Sequence, residues 1–233
     1  MLPTFRDTPS DALSTAMEAE RLTIDGVFAY DHLWPMGRPD RPALAPFPLL
    51  GAIAARTSAL CLGTLVARVG VVPDETLVAE FTALWHLAPG RVIAGLGTGD
   101  HLSVNENRAY GLAFGPAEER RHAVGRCARL LLDAGLAVWV GGLATPTAEV
   151  AETTGAVANF WQAPPERVAD QAVRSEVTWA GMARPEGGGG ELNAGQLVDV
   201  ARPLADAGAS WVVFGWPVRL GDLASAAETL RTA

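Results

Sequence analysis

Alternation constrains this chain more than any other feature. Short apolar runs recur at Leu2–Phe5, Gly26–Tyr30, Leu60–Val66, Arg91–Leu96, Ala137–Val140, Ala156–Trp161, Glu176–Ala180 and Ser210–Trp216. Most are continuously apolar rather than alternating, the pattern of strands covered on both faces. Helical patterns separate them: Ser10–Leu22, Pro46–Arg56, Asp74–Leu87, Ala117–Leu132, Pro146–Thr154, Pro164–Arg174, Leu192–Ala207 and Leu220–Leu230. Several begin at helix-start signals, such as Thr8-Pro9-Ser10-Asp11 and the proline before Asp74. Eight strand–helix units predict an α/β chain folded as a single (β/α)8 TIM barrel over residues 1–233, compact for a fold whose usual length is about 250 residues. A doubly wound open sheet is the alternative. It usually carries a glycine-rich turn after its first strand, where this chain has Arg6-Asp7-Thr8.

Composition removes whole classes of function. Eighteen basic and 26 acidic residues leave a net charge of −8, and every basic residue is Arg. Such a chain is a poor match for nucleic acid or an anionic membrane. With no Lys, Schiff-base and lysine-base chemistry are excluded. Cys61 and Cys127, each in an apolar stretch, read as small buried hydrophobes. No His, Cys, Asp or Glu spacing resembles a metal site. The first residues lack the basic and apolar regions of a signal peptide, and no stretch reaches the length of a membrane span, so a cytoplasmic protein is expected.

In a barrel, chemistry gathers beyond the C-terminal ends of the strands. After Tyr30 come Asp31, His32 and Trp34: an acid, an imidazole suited to proton transfer, and a flat aromatic. After Leu96 come Gly97, Thr98, Gly99 and Asp100, glycines that permit close backbone approach followed by a carboxylate. His32 and Asp100 share one rim as a candidate acid/base or substrate-orienting pair. Gly141 and Gly142, ahead of the helix near Pro146, read as an anion site or an ordinary helix cap. Asn159, Trp161, Trp179 and Trp216 lie at the last strand exits, where aromatics suit a large flat ligand or simply fill space. The tetraglycine Gly187–Gly190 reads as a linker or a shortened active-site loop.

The strings DGVFAYDHLWP (25–35), LLGAIAARTSALCLGTLV (49–66), LAPGRVIAGLGTGD (87–100), SVNENRAYGLAFG (103–115), AVWVGG (137–142) and GASWVVFGW (208–216) resemble the bacterial luciferase-like flavin and deazaflavin oxidoreductases. That resemblance implies a (β/α)8 barrel holding coenzyme F420, or alternatively FMN, at its C-terminal mouth. DHLWP with GTGD is closer to the F420-dependent branch. It maps a catalytic role onto His32, with Asp100 assisting and Asp31 and Trp34 beside them. Leu65 and Val66 correspond to a bulge, often a non-prolyl cis peptide, backing the ring. The Gly97–Gly99 loop and Gly141-Gly142 meet the cofactor tail or phosphate, with Asn159 on the same wall. The implied activity is hydride transfer between F420 and a small-molecule substrate, and relatives are commonly homodimers. An FMN-dependent monooxygenase, a non-catalytic cofactor carrier and a barrel enzyme for a phosphorylated metabolite are the other readings. The chain is shorter than most such proteins, and its late loops are abbreviated.

Overall fold

The computed structural model describes residues 1–5, 9–35, 38–41, 43–182 and 190–232. The Arg6-Asp7-Thr8 turn and Gly187–Gly189 of the tetraglycine lie outside the described residues. Helices and strands alternate in the order α1 (Pro9–Arg21), β1 (Gly26–Ala29), α2 (Pro46–Ala54), β2 (Cys61–Thr64), β3 (Ala67–Arg68), α3 (Asp74–Leu87), β4 (Val92–Gly97), α4 (Ser103–Ala109), α5 (Ala117–Asp133), β5 (Ala137–Gly141), α6 (Thr145–Thr154), β6 (Val157–Trp161), α7 (Pro165–Ala172), β7 (Val177–Gly181), α8 (Ala194–Asp206), β8 (Ala209–Phe214) and α9 (Leu220–Arg231). Local chemistry sets these boundaries. α3 starts after Pro73 with Asp74 and Glu75 in its first turn, where carboxylates complement the helix dipole. α8 opens with a capping box between Asn193 and Gln196. α6 ends at Gly155 in the left-handed region, φ 81°.

All strand pairs are parallel, in the order β1-β2-β4-β5-β6-β7-β8, with β3 also on β4. Six steps of about 4.8 Å would separate β1 from β8 by about 29 Å in a flat sheet. Instead the Phe28 ring of β1 lies 6.2 Å from Trp211 of β8 and 5.1 Å from Trp139 of β5. The sheet is therefore curled around one interior. Phe28, Leu65, Ile93, Trp139, Ala180 and Val213 fill that interior, with Trp161 and Trp211 packed against them. The alternate residues, among them Val27, Ala94, Leu96, Val138 and Val140, join the larger core beneath the helices. This period-two division is why the strands read as continuously apolar.

The sequence places a strand at Leu2–Phe5; none forms there. Pro3 has no N–H for a ladder, and Thr4 turns back to donate to the Leu2 carbonyl at 2.9 Å. Met1 N still donates to Phe214 O at 2.7 Å, and Leu2 N to Phe28 O at 2.8 Å, so these two residues touch both ends of the strand order. The eighth strand is β3, which with β2 makes one run interrupted at Leu65-Val66. The Leu65-Val66 peptide is cis, as the resemblance implies. α4 was not expected from the apolar pattern, because its buried residues are Ser103, Glu106 and Asn107. Cys127 is fully buried, and burial pushes its thiol up to about 12, consistent with a packing role. No helix among the described residues is long and apolar enough to cross a membrane.

Candidate active site

The C-terminal ends of β1, β3 and β4, together with α4, bring five polar residues into one network. β1 runs on into Tyr30, Asp31 and His32. His32 is flanked by the rings of Phe5 at 5.9 Å and Tyr30 at 6.4 Å. Phe5 and Tyr30 themselves stack at 5.4 Å, so the imidazole sits on an aromatic wall. Burial pushes the Tyr30 phenol up to about 12, which keeps it neutral.

The partner of His32 is Glu106. Its Nδ1 lies 3.1 Å from Glu106 Oε2, and the Glu106 side chain is 4% exposed. Leu33 N also donates to Glu106 Oε1, as does Trp34 N at 3.2 Å. Arg68 Nη1 reaches the same Oε2 at 3.1 Å. Burial works to raise the Glu106 pKa, but the His32 hydrogen bond, the Arg68 charge and the Leu33 N–H outweigh it and hold the carboxyl below its usual range. An ionised carboxylate only accepts hydrogen bonds. Nδ1 is therefore the donor, and a neutral His32 keeps Nε2 free to take a proton.

Arg68 ties the network to the sheet. Its backbone N–H donates to Asp31 Oδ2 at 2.9 Å, its Nε to the Asp31 carbonyl at 3.0 Å and its Nη1 to Asn107 Oδ1 at 3.0 Å. Asp31 thus pins β3 rather than opening toward solvent. Burial raises its pKa, against the opposing pull of the Arg68 N–H and charge.

Asp100, expected opposite His32, is placed elsewhere. It is exposed, and its Oδ1 accepts from Leu102 N at 2.9 Å, closing the turn into α4. An aspartate two residues before an N–H makes this local bond readily. The carboxylate that pairs with His32 comes from six residues further on. Its sequence signal is the run Ser103, Glu106, Asn107: polar residues at i, i+3 and i+4 on one face of a short helix. Arg68 and Asn107 were likewise missed, since an arginine after an apolar strand has no spacing to flag it.

Beside the network lies a shallow floor. Val66 sits over Gly97 and Gly141; a Cβ built on Gly97 would stand 2.3 Å from Val66 Cγ2, and one on Gly141 would stand 2.6 Å from Val66 Cγ1. Asn159 adjoins Gly141 on the interior face and donates through Nδ2 to Thr178 Oγ1 at 2.9 Å. Trp161 meets Tyr30 edge-on at 6.3 Å. The other predicted residues scatter. Trp179 belongs to the core under the helices and donates Nε1 to Ala163 O at 2.8 Å, so it does not reach the mouth. Trp216 is half-buried ahead of a cis Trp216-Pro217 bond. The Gly142 N–H is used by Asn159 O at 3.0 Å and is not available to an anion. Thr98 and Gly99 present their carbonyls to Arg120 Nη1 at 2.8 and 2.9 Å. Trp34 packs at 5.6 Å from Tyr110.

Two outcomes follow directly. Gly97→Ala and Gly141→Ala each force Val66 upward, costing about 1–3 kcal/mol of stability as overpacking. Val66→Ala combined with either glycine change should recover most of that loss in a double-mutant cycle by urea unfolding. Additive losses would show that Val66 is not the obstruction. The second outcome concerns acid. Glu106 has a folded pKa below its ordinary 4.5. Its stabilisation is complete above that unfolded value and is lost as pH falls through the lower folded value. Wild type should therefore exceed Glu106→Gln in stability at neutral pH, with the gap closing below pH 4.5. A gap unchanged across acid unfolding would contradict an ionised Glu106.

Residues 2–126 match the family model described as luciferase-like monooxygenase. Among curated proteins, the F420-dependent glucose-6-phosphate dehydrogenase of Nakamurella multipartita is 38% identical over 113 residues, 48% of this chain and 32% of that protein. Its namesake from Beutenbergia cavernae is 39% identical over 134 residues, 57% of this chain and 38% of the relative. The chain thus spans about a third of the length of these curated relatives. In fold it is similar to an F420-dependent secondary alcohol dehydrogenase solved with an F420–acetone adduct, TM-score 0.76 at 14% identity over 92% of both chains. With more than half of its length matched and the parallel strand order in place, the chain belongs to the luciferase-like monooxygenase family.

Proposed function

We propose that this protein is an F420-dependent oxidoreductase that moves a hydride between the deazaflavin and a small organic substrate, on a curled sheet completed as a (β/α)8 barrel. The observation that carries this reading is the His32–Glu106 pair, set beside the Val66 floor at one end of the parallel strands. Catalytic groups sit at that end in barrels of this kind. The names of the curated relatives and of the structurally similar alcohol dehydrogenase support F420 as the cofactor.

The residues present fit a flat tricyclic ring. Val66 is held low because Gly97 and Gly141 have no Cβ, and Asn159 and Ala180 keep the neighbouring interior positions compact. Val66, Gly97, Gly141 and Asn159 would hold the ring, with His32 and Trp34 along its rim. When bound, F420 supplies two-electron hydride chemistry that no side chain offers. Oxidation of an alcohol carbon releases a hydride and a proton, and His32 Nε2 receives the proton from the hydroxyl. Glu106 steadies the imidazolium that results and fixes the ring orientation through Nδ1. Asp31 and Arg68 hold the strand segment on which this geometry depends.

Turnover of small secondary alcohols and of sugar phosphates, followed by loss of deazaflavin absorbance, tests the reading. Hydride transfer with F420 and none with FMN is the expected result. Turnover with reduced FMN and oxygen alone would move the protein to the monooxygenase branch. Tight F420 binding without turnover on any substrate would make it a carrier.

A further inference from the structure

α5 and α6 leave a groove of about 310 Å³ between them on the outside of the curled sheet. Small-molecule sites commonly run from about 300 to 1,000 Å³. The α5 wall carries Arg121, His122, Arg126 and Arg129; the α6 wall carries Val150, Thr153 and Thr154. None of these residues belongs to the His32–Glu106 network or to the Val66 floor. Among the described residues no Asp or Glu lines the groove, in a chain with 26 acidic and 18 basic residues.

Gly125 of α5 makes the floor. A Cβ built there would stand 3.5 Å from Val150 Cγ1 and 3.8 and 3.9 Å from Arg129 Nη1 and Nη2. The Arg129 guanidinium is therefore folded back over the glycine rather than extended into solvent. Helix propensity alone favours Ala at such a mid-helix position, and the missing side chain is what keeps the groove open.

The charged groups differ in how they are satisfied. Arg126 Nη2 is bonded to Asp74 Oδ2 at 2.9 Å, so its charge is matched. Arg121, half-buried, and Arg129 have no hydrogen-bond or ion-pair partner among the described residues. The hydroxyls opposite are committed to their own helix: Thr153 Oγ1 donates to Glu149 O at 2.8 Å, and Thr154 Oγ1 to Val150 O at 2.7 Å. The side-chain donors left to the groove are guanidinium N–H groups and the His122 ring. Guanidinium forks are the preferred partners of phosphate and carboxylate oxygens. A phosphate group brings about two charges and three acceptor oxygens to such forks, more than a carboxylate can.

We propose that this groove is a binding site for a phosphate dianion, held by Arg121 and Arg129 with His122 beside them. The site stands apart from the cofactor floor and does not depend on which cofactor the protein uses.

Inorganic phosphate titrated into the protein at constant ionic strength, read by NMR of the His122 ring and the Arg121 and Arg129 side chains, tests this. Saturable binding is expected, with all three groups on one isotherm. Arg121→Gln and Arg129→Gln should each weaken it about tenfold, the scale of a charge-assisted hydrogen bond. Arg56→Gln, which removes an exposed arginine just past the end of α2, should leave it unchanged. No saturation overturns the site. So does an equal loss in all three variants, because net charge alone would then account for binding. Glycerol 3-phosphate held more tightly than inorganic phosphate identifies the occupant as a phosphate ester; equal or weaker affinity identifies it as free phosphate. Both results uphold the site.

Discussion

Glu106→Ala should cost about 3–5 kcal/mol of folding stability, the range for removing one partner of a buried ion pair. Few single changes in this chain strand so many groups. The carboxylate accepts from His32, Leu33, Trp34 and Arg68, and its side chain is 4% exposed. Without it the Arg68 guanidinium, 6% exposed, loses its salt-bridge carboxylate and keeps only the nearby charge of Asp31. Two backbone N–H groups also lose their acceptor, each worth a further share of the loss. Glu106→Gln should fall between, because the amide keeps one acceptor oxygen but turns an N–H2 toward other donors. Urea unfolding, with an unchanged slope and a lowered midpoint, is the measurement. A loss for Glu106→Ala below about 1 kcal/mol, the scale of an exposed pair, would show that the network is not a buried one.

His32→Ala should lower turnover by about 10²–10⁴-fold, the usual contribution of general acid–base catalysis. The imidazole touches the rest of the protein through Glu106 and the Phe5 and Tyr30 rings, and it is 22% exposed, so its removal should spare the fold. Cofactor affinity should change little, because the floor is made by Val66, Gly97 and Gly141. Steady-state kinetics separate the two: kcat falls while the cofactor Kd holds. Asp100→Asn, by contrast, should leave turnover near wild type, since Asp100 closes a local turn and stands exposed. Equal losses in the two variants would restore Asp100 to the catalytic pair.

The strands and helices were legible because their signals are local. Continuous apolar runs mark strands buried on both faces, and prolines with first-turn acids mark helix starts. Seven of the eight apolar runs became strands at nearly the expected residues. Leu2–Phe5 failed because Pro3 and the Thr4 turn override its apolar character. The position of His32 at a strand exit and the cis peptide at Leu65-Val66 were also legible, one from the fold rule and one from the family resemblance. The partner of His32 was not. Asp100 has the right chemistry at a strand exit, but the backbone turn two residues later claims its side chain. Glu106 reaches the site only because α4 folds back with a polar face inward, and 74 residues separate it from His32. Trp179 shows the same limit on the strands. Its neighbour Ala180 faces the interior, so period-two alternation sends the larger ring outward.

Fluorescence titration of the purified protein with F420, and separately with FMN, measures the cofactor site most directly when wild type and Gly97→Ala are run side by side. Saturable, micromolar or tighter binding of F420 by wild type is expected, with affinity lost in Gly97→Ala as Val66 rises into the ring's place and recovered when Val66→Ala is added. Binding of neither cofactor, or F420 binding indifferent to both substitutions, would contradict a deazaflavin site on the Val66 floor.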